Sequence, residues 1–368
     1  MYNTPLPTQR LSMAYIRLDS QAFFHNLTAI QNTLSHTPHP PKLALVLKDN
    51  AYGHGLEQIA HLAKQAGIES VFVKNYEEAI SIAQLFDTIT ALYGEVPPNA
   101  PSNIWASIPS LQALQSCATA HKNAHQMRHI ELKVNIGMHR NGIAINELDR
   151  ALSLLENSRH IRLAGVLGHN GYGDNDDESF FTSVQAFREI TNKVRKWCEA
   201  HNYPMPRFHS LSTSGALRLG LHNARSDDLG DVVRIGIGAY GYHTSELPLH
   251  IALKPIASLW AHKISSLALK KGDRIGYGGV SVVEKDGVFS TYDVGYGDGL
   301  FRVGAEQSLC CASGEQILPV MSMDCFSCQS EREEICVFSD VSAWARAFHT
   351  IPYVILTHLS PTLKRVVV

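Results

Sequence analysis

The chain has 368 residues, 45% hydrophobic and 18% charged, so it can bury a sizeable core and is not a disordered chain. Against domains of ~100–200 residues, that length calls for about two domains, or one barrel with an appendage. Lys+Arg number 32 and Asp+Glu 34, a formal charge of -2, which argues against a general nucleic-acid or membrane-surface binder.

In chain order, Met1 to Arg10 is polar and lacks the charged start and apolar stretch of a signal peptide. No segment approaches the ~18 apolar residues of a membrane span. The expected address is cytoplasmic. The seven cysteines fit it: the number is odd, the chain is long, and no disulfide framework is suggested. After Asp19 and Ser20, the spacing of Phe23, Leu27, Ile30 and Leu34 predicts one face of a helix. Leu43 to Leu47 is apolar on both faces, as a buried parallel strand should be. A second helix follows, with Leu56, Ile59, Ala60, Leu62 and Ala63 inward.

The same alternation continues, with candidate strands at 43–48, 70–73, 90–93, 104–107, 130–135, 162–168, 206–210 and 231–236. Eight strand–helix units over this length point to a (β/α)8 barrel, with a doubly wound open sheet as the competing arrangement. From about residue 245 the helical periodicity fades. Short runs at 251–253, 287–294 and 353–356 between Gly, Asp and Ser predict a β-rich domain, with the boundary near 241–248.

A barrel of this kind places its chemistry at the C-terminal ends of the strands. Lys48 ends the first strand, Arg140 follows the fifth, His169 the sixth and Ser214 the seventh, and Arg234 lies in the eighth. A lysine there can act on a carbonyl or as a base; it can equally snorkel to solvent. Glycines at 236 and 238 let backbone N–H groups approach a phosphate, or simply allow tight packing.

Lys48-Asp49-Asn50-Ala51-Tyr52-Gly53-His54-Gly55 resembles the pyridoxal 5'-phosphate (PLP) attachment motif of alanine racemases. The resemblance continues in order through 133–142, 233–241, Val294 to Gly299, Ser322-Met323-Asp324 and 351–357. It implies a PLP-binding (β/α)8 barrel over 12–241, a mostly β C-terminal domain over 242–368, and a homodimer with shared active sites. The implied catalytic pair is Lys48, the attachment lysine, and Tyr296 of the partner subunit. They would serve opposite faces of the substrate Cα, as a two-base racemisation requires. Use of a phenol as a base calls for cationic groups nearby.

The resemblance places Arg234 against the PLP pyridine nitrogen. A permanently charged guanidinium leaves that nitrogen unprotonated and favours racemisation over transamination. It assigns Tyr52, Ser214 and the backbone N–H groups of Gly236 and Ile237 to the phosphate, where neutral donors suffice. Arg140 is assigned to the PLP phenolate side and, with Met323 of the partner subunit, to the carboxylate of a small amino-acid substrate. His169 and His209 match family histidines near the cofactor, and His54 is either structural or supports the residues that touch it. Lys133 matches a lysine that some relatives carbamylate.

The lone Cys325-Phe326-Ser327-Cys328 is read as reduced thiols, and no metal is expected. Departures from the family pattern lie at the rim. Asn135-Ile136 stands where Asp-Thr is usual, Thr213 where Asn is common, and the 296–323 span is short. The expected activity is interconversion of L- and D-alanine. The alternatives are a PLP racemase of broader or different specificity and a non-catalytic PLP-binding protein.

Overall fold

The computed structural model describes residues 13–37, 39–221 and 226–368. The readings made on Met1 to Arg10, and on a domain start at residue 12, lie outside the described residues. Two compact units emerge: one of Gln21–Ala51 and Leu56–Lys254, the other of residues 13–20, Tyr52–Gly55 and Pro255–Val368.

The first unit is built on eight parallel strands: Lys42–Val46, Ser70–Val73, Thr88–Ala91, Ile104–Ile108, Arg128–Lys133, Ile161–Leu167, Arg207–His209 and Val232–Ile235. No end lies more than two residues from the position predicted by the apolar runs. Neighbours pair in chain order, and the first strand also pairs with the last, Lys42 opposite Val232. Between the seventh and eighth strands single bonds replace a ladder. Asp231 N–H donates to the Phe208 carbonyl at 2.8 Å, and Phe208 N–H to the Asp231 carboxylate at 2.7 Å. The sheet is therefore a nearly closed barrel, and the open-sheet alternative falls.

The strands form where both faces can be buried. Ala44, Leu45 and Leu47 are at most 1% exposed. The helices lay one apolar stripe on this wall. Ser20–Leu34 buries Phe23, Leu27, Ile30 and Leu34, and Leu56–Gln65 buries Ile59, Ala60, Leu62 and Ala63. Starts are marked by side-chain caps: Asn75 accepts from Glu78 N–H, and Ser110 from Ala113 N–H, each at 3.1 Å.

One buried cation staples a loop to this wall. The guanidinium of Arg128, 1% exposed, donates to the carbonyls of Pro97, Pro98, Ala100, Pro101 and Ile104 at 2.7–3.4 Å. Its planar fork of donors suits a ring of acceptors that a lysine could not reach together.

The second unit carries a six-stranded sheet and a two-stranded hairpin, Arg274–Ile275 with Ser281–Val282. Its central strand, Ala257–Leu269, pairs antiparallel with Tyr15–Leu18, Gly287–Tyr292 and Glu334–Phe338. Tyr15–Leu18 also pairs in parallel with Lys364–Val367. The expectation that placed these first residues with the barrel is thus corrected. They are a sheet strand of the second unit, and that unit resumes at Pro255, beyond the boundary expected at 241–248.

Two short apolar runs also differ from expectation. Ile251 to Leu253 forms no strand, since the chain turns into Lys254-Pro255, and proline cannot donate to a ladder. The 353–356 run lies in a helix, Pro352–His358, rather than a strand. Pro352 occupies its first turn, where the ring's fixed φ is already helical, and Ile355 and Leu356 are its buried residues.

Arg128→Met should take a donor from five carbonyls; Pro97 and Pro101 keep the N–H groups of Ala100 and Ile104, and each carbonyl left buried and unpaired costs about 1–3 kcal/mol. The expected result is a urea midpoint lowered by the equivalent of at least about 3 kcal/mol; a drop below about 1 kcal/mol would refute the staple.

Candidate active site

Lys48 stands two residues beyond the end of the first barrel strand, after Leu47. There the backbone turns left-handed: Asp49, Asn50 and Ala51 have φ of 54°, 54° and 52°. Residues with a Cβ rarely adopt this conformation, and it persists only where neighbours impose it. Asn50 N–H donates to the Glu78 carboxylate at 2.9 Å, Asn50 Oδ1 accepts from Leu56 N–H at 2.8 Å, and Asp49 pairs with Lys74 at 2.7 Å.

Lys133 ends the fifth strand, buried, with its amine 5.3 Å from the Tyr93 ring centroid. The loop after it doubles back, and Ile143 N–H donates to the Lys133 carbonyl at 2.8 Å. Asn135 Oδ1 accepts from the N–H groups of Gly137 and His139, each at 3.1 Å, and Tyr172 Oη donates to the Gly137 carbonyl at 2.9 Å. Gly142 is required: a Cβ there would lie 2.6 Å from the Asn135 nitrogen. This loop carries Arg140, exposed, over a cleft lined by Lys133, Asn135, Met138 and His169.

Arg234 is buried on the last strand. Its Nη2 donates to the Gly168 carbonyl at 2.7 Å, and its Nη1 reaches His209 Nδ1. Beside it, the helix Thr213–Leu221 opens with Ser214 in its first turn. Its N-terminus meets the close-packed segment after the last strand, where a Cβ on Gly238 would lie 2.3 Å from the Thr213 methyl. Gly236 and Ile237 begin that segment. The Gly236 N–H donates to Thr213 Oγ1 at 3.3 Å, so the hydroxyl at the unusual threonine is tied to one of the two amides assigned to a phosphate.

The electrostatics of this mouth are one-sided. Burial and then Arg140, Arg234 and Lys48 lower the Lys133 pKa to about 8. Burial and then Arg234, Arg140, Lys133 and Lys48 push His169 down to about 3, so His169 is neutral at pH 7. Lys48, Arg140 and Arg234 thus bear on Lys133, and all four on His169, an arrangement that an anion relieves.

The remaining nominated residues belong to the second unit. The Tyr52 ring lies edge-on to Tyr353, with centroids 5.9 Å apart. Gly53 beside it has φ +83°, and a Cβ there would lie 1.9 Å from the Leu356 carbonyl oxygen. His54 is buried, with Nδ1 3.1 Å from the Tyr52 carbonyl. Tyr296 opens a tight turn, Tyr296–Asp298, with the Arg302 guanidinium 5.8 Å from its ring centroid. Gly297 N–H donates to the Met323 carbonyl at 2.8 Å, which ties two motifs far apart in sequence. Gly295 makes that approach possible, since a Cβ on it would lie 2.3 Å from the Met323 oxygen.

Sequence reasoning missed Glu131 and Arg207, which lie inside the barrel, paired at 2.7 Å. A charged residue within a strand reads as solvent-facing. The available signal was Gly165, which faces Glu131 across the ladder.

Fold and site together define a (β/α)8 barrel with a cationic mouth, followed in the chain by a β-sheet unit. The family model "Alanine racemase, N-terminal domain" matches residues 18–244, and "Alanine racemase, C-terminal domain" matches 256–367. The alanine racemase of Campylobacter curvus is 37% identical over 353 residues, covering 96% of this chain and 99% of its own. That of Nitratiruptor is 37% identical over 354 residues, with the same coverage. The chain belongs to the alanine racemase family.

Solved structures share the fold. The alanine racemase of Streptomyces lavendulae has TM-score 0.81 at 23% identity, covering 97% of each chain. The histidine racemase of Leuconostoc mesenteroides has 0.82 at 22%, covering 100% of each. The alanine racemase of Bartonella henselae with covalently bound pyridoxal phosphate has 0.78 at 21%, covering 97% of this chain and 100% of that one.

The lowered pKa of Lys133 has a definite sign in folding. Between about 8 and the ordinary 10.5, the unfolded amine holds a proton that the folded one does not. Stability therefore gains from this group as pH rises through that window, and the gain is absent below it. Urea midpoints across that range should rise less in Lys133→Met than in the wild type; parallel curves would contradict the assignment.

Proposed function

We propose that the chain interconverts L-alanine and D-alanine with PLP, as a homodimer in the cytoplasm. The observation that carries this reading is the mouth itself: Lys48, just ahead of an imposed left-handed turn, acts with Arg140 and Arg234 on Lys133. The residues fit PLP on structural grounds. The helix N-terminus at Thr213 and the close-packed Gly236 to Gly238 segment suit a phosphate. The anchored guanidinium of Arg234 suits an unprotonated ring nitrogen.

Lys48 would be the attachment lysine. Ser214, Ile237, Gly236 and Tyr52 would hold the phosphate, and Arg140 the phenolate side and the substrate carboxylate. Met323 of the partner subunit would add its backbone N–H to that carboxylate. PLP, when bound, supplies an electron sink that acidifies the Cα hydrogen of an amino acid linked to it. The Lys48 amine then takes or returns a proton at Nζ on one face of Cα. The Oη of Tyr296 of the partner subunit does the same on the other face. His169, neutral and beside the cations, adds no further positive charge.

A second copy of the chain also suits the exposed apolar residues of the second unit. Ile264, Leu267 and Tyr277 are 59%, 63% and 63% exposed, with Val280 and Val282 beside Tyr277 in sequence. Among the described residues, no helix is long and apolar enough to cross a membrane.

The test is deuterium incorporation at Cα of each alanine enantiomer in D2O. Wild type should exchange both. Lys48→Ala should lose racemisation by at least about 100-fold, and Tyr296→Phe should retain exchange from one enantiomer only. PLP binding without exchange would overturn the reading.

A further inference from the structure

Beneath the mouth a polar chain crosses the barrel interior. Glu131, 0% exposed, accepts with Oε1 from Arg207 Nε at 2.7 Å and contacts His209 Nε2 at 3.1 Å. Burial would raise the Glu131 pKa, but Arg207 and His209 outweigh it and hold the carboxyl down to about 2. A carboxylate only accepts, so His209 Nε2 carries the hydrogen. On the other side of the ring, His209 Nδ1 meets Arg234 Nη1, and a guanidinium only donates. The two neighbours thus select one neutral tautomer from opposite sides. Burial agrees, pushing the imidazole pKa down to about 4 although Glu131 pulls it up.

The surroundings make room for this chain. A Cβ on Gly165 would lie 2.5 Å from Glu131 Oε1, so a residue with a side chain there would displace the carboxylate. The Phe72 ring lies 5.3 Å from the His209 ring and 5.7 Å from Arg234 Cζ, filling the remaining side.

We infer that Glu131 is a positioning residue of the proposed reaction: through His209 it fixes the direction and hydrogen bonding of Arg234. The inference rests on the reading of Arg234 as the partner of the PLP ring nitrogen. An anionic acceptor on one imidazole N–H makes the opposite nitrogen more basic, which strengthens the bond that anchors Arg234. Without that bond the guanidinium keeps only its carbonyl partners at Gly168 and His209, its Nη1 end is less firmly directed, and the ring nitrogen it faces gains a proton more readily. A protonated ring nitrogen favours transamination: the amino group of alanine passes to the cofactor, alanine is oxidised to pyruvate, and the cofactor is reduced by the same two electrons.

The competing role for Glu131 is neutralisation of Arg207 and nothing more. The experiment reads the His209 imidazole N–H resonance by NMR in the full chain, with and without PLP, and pyruvate formed per racemisation turnover. Wild type, Glu131→Gln and Arg128→Met are compared, the last a destabilising change on the same strand. Wild type should show a neutral ring with its proton on Nε2, shifted downfield by the carboxylate. Glu131→Gln should move that resonance upfield, lower racemisation kcat about tenfold with KM nearly constant, and raise the pyruvate fraction about tenfold. Arg128→Met should do none of these.

A wild-type ring that is cationic or protonated on Nδ1 overturns the inference even if the variant does not fold. So does a Glu131→Gln chain matching wild type, or an Arg128→Met chain matching Glu131→Gln. If wild type racemises alanine in those cases, the functional reading stands alone. If wild type does not racemise alanine, both fall.

Discussion

Like charge held at one place is the constraint from which this site follows. Lys48, Arg140 and Arg234 act on Lys133, and all four on His169, at the C-terminal ends of the barrel strands. Free side chains would spread apart, since like charges repel more strongly where water is partly excluded. Strand ends and tight turns prevent that. Relief comes from a lowered proton affinity at Lys133, from carbonyl oxygens around Arg234, and from any anion that enters. Such a field favours anions.

Local backbone geometry enforces the crowding. The left-handed turn after Lys48 is maintained by Glu78 and the Asn50 side chain, which satisfy the N–H groups it would otherwise leave bare. Gly142 and Gly238 are sites of close approach where a Cβ would meet an atom within 2.6 Å. Glu131 does the reverse of the mouth residues. It places one negative charge in the barrel interior, between Arg207 and His209, and a glycine opposite provides the space.

The barrel was legible because its signals are local. Runs such as Leu43 to Leu47 are apolar on both faces only when a strand is buried on both, and helices such as Leu56–Gln65 show their inner stripe at 3.6 spacing. The second unit was less legible. Its 353–356 run is too short for periodicity to separate helix from strand, and Pro352 decided for helix. Tyr15–Leu18 carries no mark of its partners, because ladder partners such as Trp260 and Lys364 lie hundreds of residues away.

For the site, the sequence alone determined which side chains stand at strand ends: Lys48, Arg140, His169, Ser214 and Arg234 each adjoin an apolar run or its following turn. The ordered motifs were enough to name the family. Tertiary structure decided what those residues do to one another. The tautomer of His209, the lowered proton affinity of Lys133 and the engagement of the Gly236 amide by Thr213 all depend on neighbours brought together by barrel closure. Chain order fixes which groups a strand carries. Charge coupling and hydrogen-bond partnership act through distance and burial, which exist only once the strands are side by side.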